Sequence, residues 1–557
     1  METVGDIDRQ DERTPLLQHN GSQSPPEYQR RSSTTSNVTN LLETPIVDCE
    51  AGSSSPHSTS RRRLVILISF VLGMFVLESG DLLLKPAMVR IYEDTICRNY
   101  YATQQHELFP AGEDVPEEKC KIAPVQTELA FIRGLEPVFD AIPSLLVAIP
   151  LGMVADNPKI GRKPVFLAAL MGPFCQMIWA VIVNRFSDIF PIRFVWFGSL
   201  FLITGGLSVI NALLYTMIID VTTPSERAST FFTMQLVGSY GPGLIMPLIT
   251  TRIMESSGNW TSVACGVSLA ACGYIMMSTV PETISFHNPD KDAQPELTTD
   301  TTAAESDSIN SESTIPPEKQ SIWLRCKVQF SEFIDSSSFV FHSPHLRILV
   351  CSLMMCMLSL TRALETLLYY ASARYGITIA KANLLITVNA AVCMSVLFCL
   401  PFASAYLTGT IGISSQRKDL LIAQISVVLL AIGWYIVGLA STLPFAVVGL
   451  VVYTLGSGFS GSVRSLAASF VEPHHQARLN SFIAIMTAMG NFVGSPLLAG
   501  LYGWGVSTGN PFWFGLPFVG LGSVFAVVGF ALWFRLKLPE EGGAVVVDED
   551  EEVLLRS

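Results

Sequence analysis

The chain has 557 residues, 49% of them hydrophobic and 15% charged, with a mean hydropathy of +0.42. That composition excludes an ordinary soluble globular protein and fits an all-α polytopic membrane protein. The formal net charge of −12 indicates no partner, because most acids lie in tails and loops, including the run 548–552, and no basic surface suggests nucleic acid.

Residues 1–60 are rich in Ser, Thr, Pro, Gln and Asn and read as a disordered cytosolic tail with no cleavable signal peptide. Glu12-Arg-Thr-Pro-Leu16-Leu17 fits an acidic dileucine pattern that sorts to endosomal or vacuolar membranes, and Asp550-Glu-Glu-Val-Leu554-Leu555 fits it again. Such short patterns also arise by chance, which leaves the plasma membrane as the other destination. Arg61-Arg62-Arg63 precedes the first apolar run, so the N-terminus is expected inside. A helix needs ~20 apolar residues to cross a bilayer. Spans are expected near 64–90, 127–151, 164–184, 194–219, 229–251 and 262–280, and again near 346–370, 381–407, 419–440, 444–470, 479–502 and 512–534. The expected organisation is a tail 1–60, a six-helix bundle 61–283, a cytosolic linker 284–340, a second bundle 341–538 and an acidic cytosolic tail 539–557.

Loop charges agree with that count. Inner connections hold Lys159, Arg162 and Lys163, then Arg227, Arg325 and Lys327, Arg417 and Lys418, Arg478, and Arg535 and Lys537. Arg185, Arg193, Arg374 and Lys381 are exceptions on short outer turns.

Ionisable groups inside spans are expensive and usually functional. Glu78, Asp81 and Lys85 share one face of the first span, and Arg133, Glu136 and Asp140 repeat that spacing in the second. Arg362 and Glu365 lie in the seventh span and Arg464 in the tenth. Two readings stay open: a substrate and proton pathway, or mutual pairing at the outer interface. All eight His fall in tails or loops, so a proton-driven device here must use a carboxylate. Burial raises a carboxyl pKa and a nearby Arg lowers it, the ingredients of a proton switch.

Cys97 and Cys120 are the only Cys on the expected outside, which favours a disulfide. Asn259-Trp-Thr261 is a glycosylation sequon between the fifth and sixth spans. Gly238-Ser-Tyr-Gly241-Pro242-Gly243 is expected to bend the fifth span. The remaining Cys have no zinc spacing, no phosphate-binding loop is present, and no cofactor or metal is called for.

The turn between the second and third spans carries Gly152, Asp156, Gly161, Arg162 and Lys163. It resembles the signature loop of the major facilitator superfamily, although that family usually puts two residues between Asp and Gly-Arg-Lys and this chain has four. The halves also echo each other. Asp220-Val-Thr-Thr-Pro224-Ser-Glu226-Arg227 follows the fourth span, and Glu472-Pro473 with Arg478 follows the tenth. Within the superfamily the chain looks most like fungal members and is distantly similar to the proton-coupled folate transporter family. The resemblance implies a monomeric secondary transporter, not an enzyme, that rocks two six-helix halves about a central site. Its partners would be a small organic solute, protons as coupling ion and the bilayer. Gly152 to Lys163, Asp220, Arg227, Glu472 and Arg478 would form the inner gate. Efflux of a metabolite or drug fits the Gly-Pro segment, which partly resembles that of superfamily antiporters. Uptake of an organic anion fits the span-borne Arg residues, and a transporter-like nutrient sensor is the third reading.

Overall fold

In lipid every backbone polar group must be satisfied within its own segment, so apolar runs of this length fold as helices. The computed structural model describes residues 56–104, 115–155, 157, 159–223, 226–283, 343–360, 362–471 and 476–536, and its regular elements are all helical. In chain order they are α1 Pro56–Gln104, α2 Ala123–Ala155, α3 Arg162–Arg185, α4 Ile192–Val221, α5 227–257 and α6 Asn259–Thr279. The second set is α7, in two described pieces Pro344–Leu360 and Arg362–Tyr375, then α8 Ile379–Gly409, α9 Ser415–Leu439, α10 Leu443–Ser469, α11 Gln476–Ser507 and α12 Pro511–Phe534. Each expected span corresponds to one of them, and eight of the described stretches are apolar and long enough to cross a membrane. The outward surface is correspondingly apolar, with Leu146, Ile203, Val527 and Phe530 all more than half exposed.

Local departures from the expected spans have identifiable causes. α1 runs well past residue 90, to Gln104, because its polar extension is held from the side. The disulfide Cys97–Cys120, with Cα atoms 5.4 Å apart, ties it to a 3-10 turn at Glu117–Cys120. Beside it, buried Glu93 accepts from Lys121 Nζ at 2.7 Å and Gln126 Nε2 at 2.6 Å. α5 widens to a π turn over Met234–Tyr240 just before Gly241-Pro242, because Pro242 has no N–H to offer the preceding turn. α10 is interrupted by a 3-10 turn at Gly456–Gly458, after which Phe459–Ser469 carries Arg464.

Three sequence readings need correction. α5 and α6 are joined only by Gly258, so Asn259 sits in the first turn of α6 rather than in an extended loop. His345 belongs to the first turn of α7, where its ring stacks on Phe470. Gly152, placed in the turn by the sequence reading, lies inside α2 with no positive φ and with nothing within 4 Å of where a Cβ would stand.

Candidate functional site

The two sets of six helices meet most closely toward the end that bears the disulfide. Thr251 Oγ1 of α5 donates to Ala380 O of α8 at 2.7 Å, and Asn383 Nδ2 of α8 donates to Pro247 O at 3.2 Å. Tyr502 of α11 donates to Gln126 of α2 at 3.3 Å. Gly134 of α2 lies so close to α11 that a Cβ there would fall 2.2 Å from Ala499 Cβ. Farther from the disulfide, Phe402 and Tyr406 of α8 are 65% and 59% exposed.

A charged cluster sits within this seal. Glu365 of α7 receives Arg362 at 3.0 Å, Arg133 of α2 at 3.1 Å and Lys85 of α1 at 3.9 Å. Arg133 also pairs with Glu136, and Lys85 with Asp81 at 2.6 Å. The space among Arg133, Gly134, Arg362, Glu365, Tyr369 and Ala499 is only about 10 Å³, at the lower limit for holding one water. Six of the eight span-borne candidates outside the turns are thus Arg133, Glu136, Arg362, Glu365, Asp81 and Asp140, and five of these six pair within this cluster.

Asp140 is different. Its Oδ1 accepts from Gln176 Nε2 of α3 and Ser199 Oγ of α4, both at 2.6 Å, and both donors are uncharged. Glu78 and Arg464 differ again, for among the described residues neither makes an ion pair or a hydrogen bond. Glu78 lines a chamber of about 270 Å³ with Asn211 and Tyr215 of α4 and Phe231, Met234 and Gln235 of α5.

At the end opposite the disulfide, Arg162 pairs with Asp220, whose carboxylate also accepts from Thr283 Oγ1 at 3.2 Å. Glu282 accepts the backbone N–H of Arg162 at 3.0 Å and of Lys163 at 3.1 Å, capping the start of α3 where an anion is favoured. Gly161 has φ 85° there, and a Cβ on it would meet Glu282 Oε2 at 2.5 Å. In the second half, Asp419 takes Ser465 Oγ at 2.6 Å and Lys418 at 3.5 Å. Asp156 and Glu472 lie outside the described residues, as do the side chains of Arg227 and Arg478. The sequence reading missed Glu93, Glu117, Lys121 and Gln126 near the disulfide and Glu282 at the opposite end. An acid directly after a span and before a Thr is a weak but readable sign for Glu282.

The Major Facilitator Superfamily model matches residues 138–495. The MFS efflux pump atnC of Emericella nidulans is 29% identical over 510 residues, which cover 90% of this chain and 93% of that protein. The efflux pump ustT of Aspergillus flavus is 28% identical over 463 residues, 82% of this chain and 85% of its own. Among solved structures, a D-xylose-proton symporter aligns with TM-score 0.54 at 14% identity, over 85% of this chain and 98% of that one. A bacterial homologue of the iron transporter ferroportin, in an inward-facing state, aligns with TM-score 0.53 at 12% identity, over 85% and 99%. At those identities the likeness is one of fold.

Proposed function

The chain belongs to the major facilitator superfamily, and on that premise we propose that this integral multi-pass transporter exports a small organic metabolite in exchange for protons by alternating access. The observation that carries the reading is the one-sided seal: among the described residues, hydrogen bonds and ion pairs between the halves gather toward the disulfide end. Two halves held at one end can rock about a central chamber, exposing it to each side in turn. Export is favoured because the relatives from Emericella nidulans and Aspergillus flavus are named efflux pumps.

Asp140 is the proposed proton carrier. Its partners are neutral, so gaining a proton there breaks no ion pair, whereas protonating Glu365 would release three cations. Arg162, Asp220 and Glu282 anchor the start of α3 at the opposite end, and with Asp156, Arg227, Glu472 and Arg478 they form the proposed inner gate. The disulfide end is proposed to face outside with both termini cytosolic, in the plasma membrane or a vacuolar or endosomal membrane. Mobility of wild type and Asn259→Gln with and without glycosidase checks the orientation; a shift in wild type that vanishes in the variant supports it, and a shift retained in the variant contradicts it. The functional test compares medium and cell extracts of a gene-deleted and an overexpressing strain. A solute that accumulates inside the deletion strain and outside the overexpressing strain, with collapse of the proton gradient stopping its release, supports the reading. Accumulation inside the overexpressing strain instead supports uptake.

A further inference from the structure

We infer that the transported solute is an uncharged molecule, aromatic at one end and with a head that both donates and accepts hydrogen bonds, held in the chamber between α1, α4 and α5. The inference deepens the export reading, in that it takes this chamber to be the solute site. At about 270 Å³ the chamber lies near the lower end of the ~300–1,000 Å³ spanned by ligand pockets. Its wall is layered, and helix direction sets the layers. α1 and α5 run toward the disulfide end, where they carry Cys97 and Thr251. α4 runs away from it, since Arg193 at its start pairs with Glu128 near the start of α2. Met74, Tyr215 and Phe231 therefore stand at one level of the chamber. Glu78, Asn211 and Gln235, four residues away on the same three helices, stand one turn nearer the disulfide. The π turn over Met234–Tyr240 keeps Gln235 and Ser239 in line on the α5 wall, because four residues overshoot an α turn of ~3.6 and the wider turn takes up the excess.

The two levels differ in chemistry. In the one farther from the disulfide, Tyr215 and Phe231 stand edge to face with centroids 5.3 Å apart, and Met74 adds a polarisable thioether, which suits an aromatic body. The other level is polar. The Asn211 and Gln235 carboxamides each donate and accept, while an ionised Glu78 only accepts. Asn211 makes no hydrogen bond among the described residues. No Lys, Arg or His is among the described residues that line the chamber. Arg133 and Arg362 are engaged elsewhere, by Glu136 and Glu365. An anionic solute would thus lose its hydration beside Glu78 with no cation to offset the loss. Glu78 in turn shares its helix face with Asp81 and Lys85, which pair at 2.6 Å, so Lys85 already meets part of its charge. What this level asks of a solute is N–H or O–H donors and a carbonyl-type acceptor, not a counter-ion. An amide head answers all three side chains at once.

Equilibrium dialysis on the purified full-length protein, with three forms of one aromatic amide as probes, tests this. The probes are N-acetyltryptophanamide, which is uncharged, N-acetyltryptophan, which is negative, and tryptophanamide, which is positive at about pH 6. The uncharged probe is expected to bind at least about tenfold more tightly than either charged one, which corresponds to about 1.4 kcal/mol. Asn211→Leu and Gln235→Leu, both at exposed positions, should each weaken the uncharged probe several-fold. Either charged probe binding as tightly as the uncharged one overturns the inference, as do the absence of binding by all three and an affinity unchanged in both variants. The wild-type comparison decides without the variants, should they fail to fold. Metabolite export does not involve these probes, so export that survives a negative binding result overturns this inference alone.

Discussion

Asp140 and Glu365 are both carboxylates within spans, and their partners separate their work. Asp140 hangs from an amide and a hydroxyl, while Glu365 gathers three cations from three helices. Asp140→Asn preserves shape and removes titration. In proteoliposomes the variant is expected to lose transport driven by a pH gradient, keep solute exchange, and show a flattened dependence of exchange on pH. A wild-type pH profile at normal expression would remove Asp140 from coupling. At Gly161, alanine would have to adopt φ 85° with its methyl 2.5 Å from a Glu282 oxygen. Gly161→Ala should cost on the order of 1–3 kcal/mol, read as a lower melting temperature; an unchanged melting temperature would contradict the cap. Helical spacing made the faces of Glu78-Asp81-Lys85 and Arg133-Glu136-Asp140 legible in the sequence. What they face was not legible, because periodicity along one helix carries no information about a residue such as Glu365, 232 positions away from Arg133. Glu282 was overlooked for a related reason: it caps a helix from a distance of 120 residues.

Among the elements, the segment after α1 does more than link spans. Its disulfide and the buried Glu93 fix the turn that carries Glu117, and Glu117 Oε1 accepts the N–H of Ile379, the first residue of α8, at 2.8 Å. One half thereby caps a helix of the other. Glu117→Gln should weaken that cap by on the order of 1 kcal/mol and speed hydrogen exchange at the start of α8 several-fold. Exchange unchanged there would leave the turn no part in the seal. Cys97→Ser/Cys120→Ser should give a larger effect, because closing a loop of this length stabilises by roughly 2–4 kcal/mol. The end of α1 was not legible since Glu93, Asp94 and Arg98 read as the start of a loop, and it is the disulfide with the partners Lys121 and Gln126 that explains why the helix continues. That Gly-Pro disturbs α5 was legible as a local cause; that the disturbance is a π turn over Met234–Tyr240 was not. Arg374, an exception to the charge rule at the outer end, is explained by packing: it donates to Ala440 O and Phe512 O, both at 2.9 Å.

For the whole molecule, the number and order of helices follow from hydrophobic run length and loop charge, which are local properties. The conformation does not, because both ends of a rocking transporter are written in the same sequence and differ only in which contacts are made. Here the contacts between halves gather at the disulfide end, with Glu365 at their charged centre. Removing one partner of a largely buried ion pair costs about 3–5 kcal/mol of the state that holds it, enough to invert an equilibrium between two states a few kcal/mol apart. The most direct test uses spin labels placed through encoded amino acids on α5 and α8, with the native cysteines left intact. One pair, Ser256 and Lys381, reports the disulfide end, and the other, Thr233 and Thr408, reports the opposite end. On Glu365→Gln the Ser256–Lys381 distance is expected to lengthen and the Thr233–Thr408 distance to shorten in the same molecules. Distances that both stay as in wild type, or both lengthen, would contradict alternating access governed by this seal.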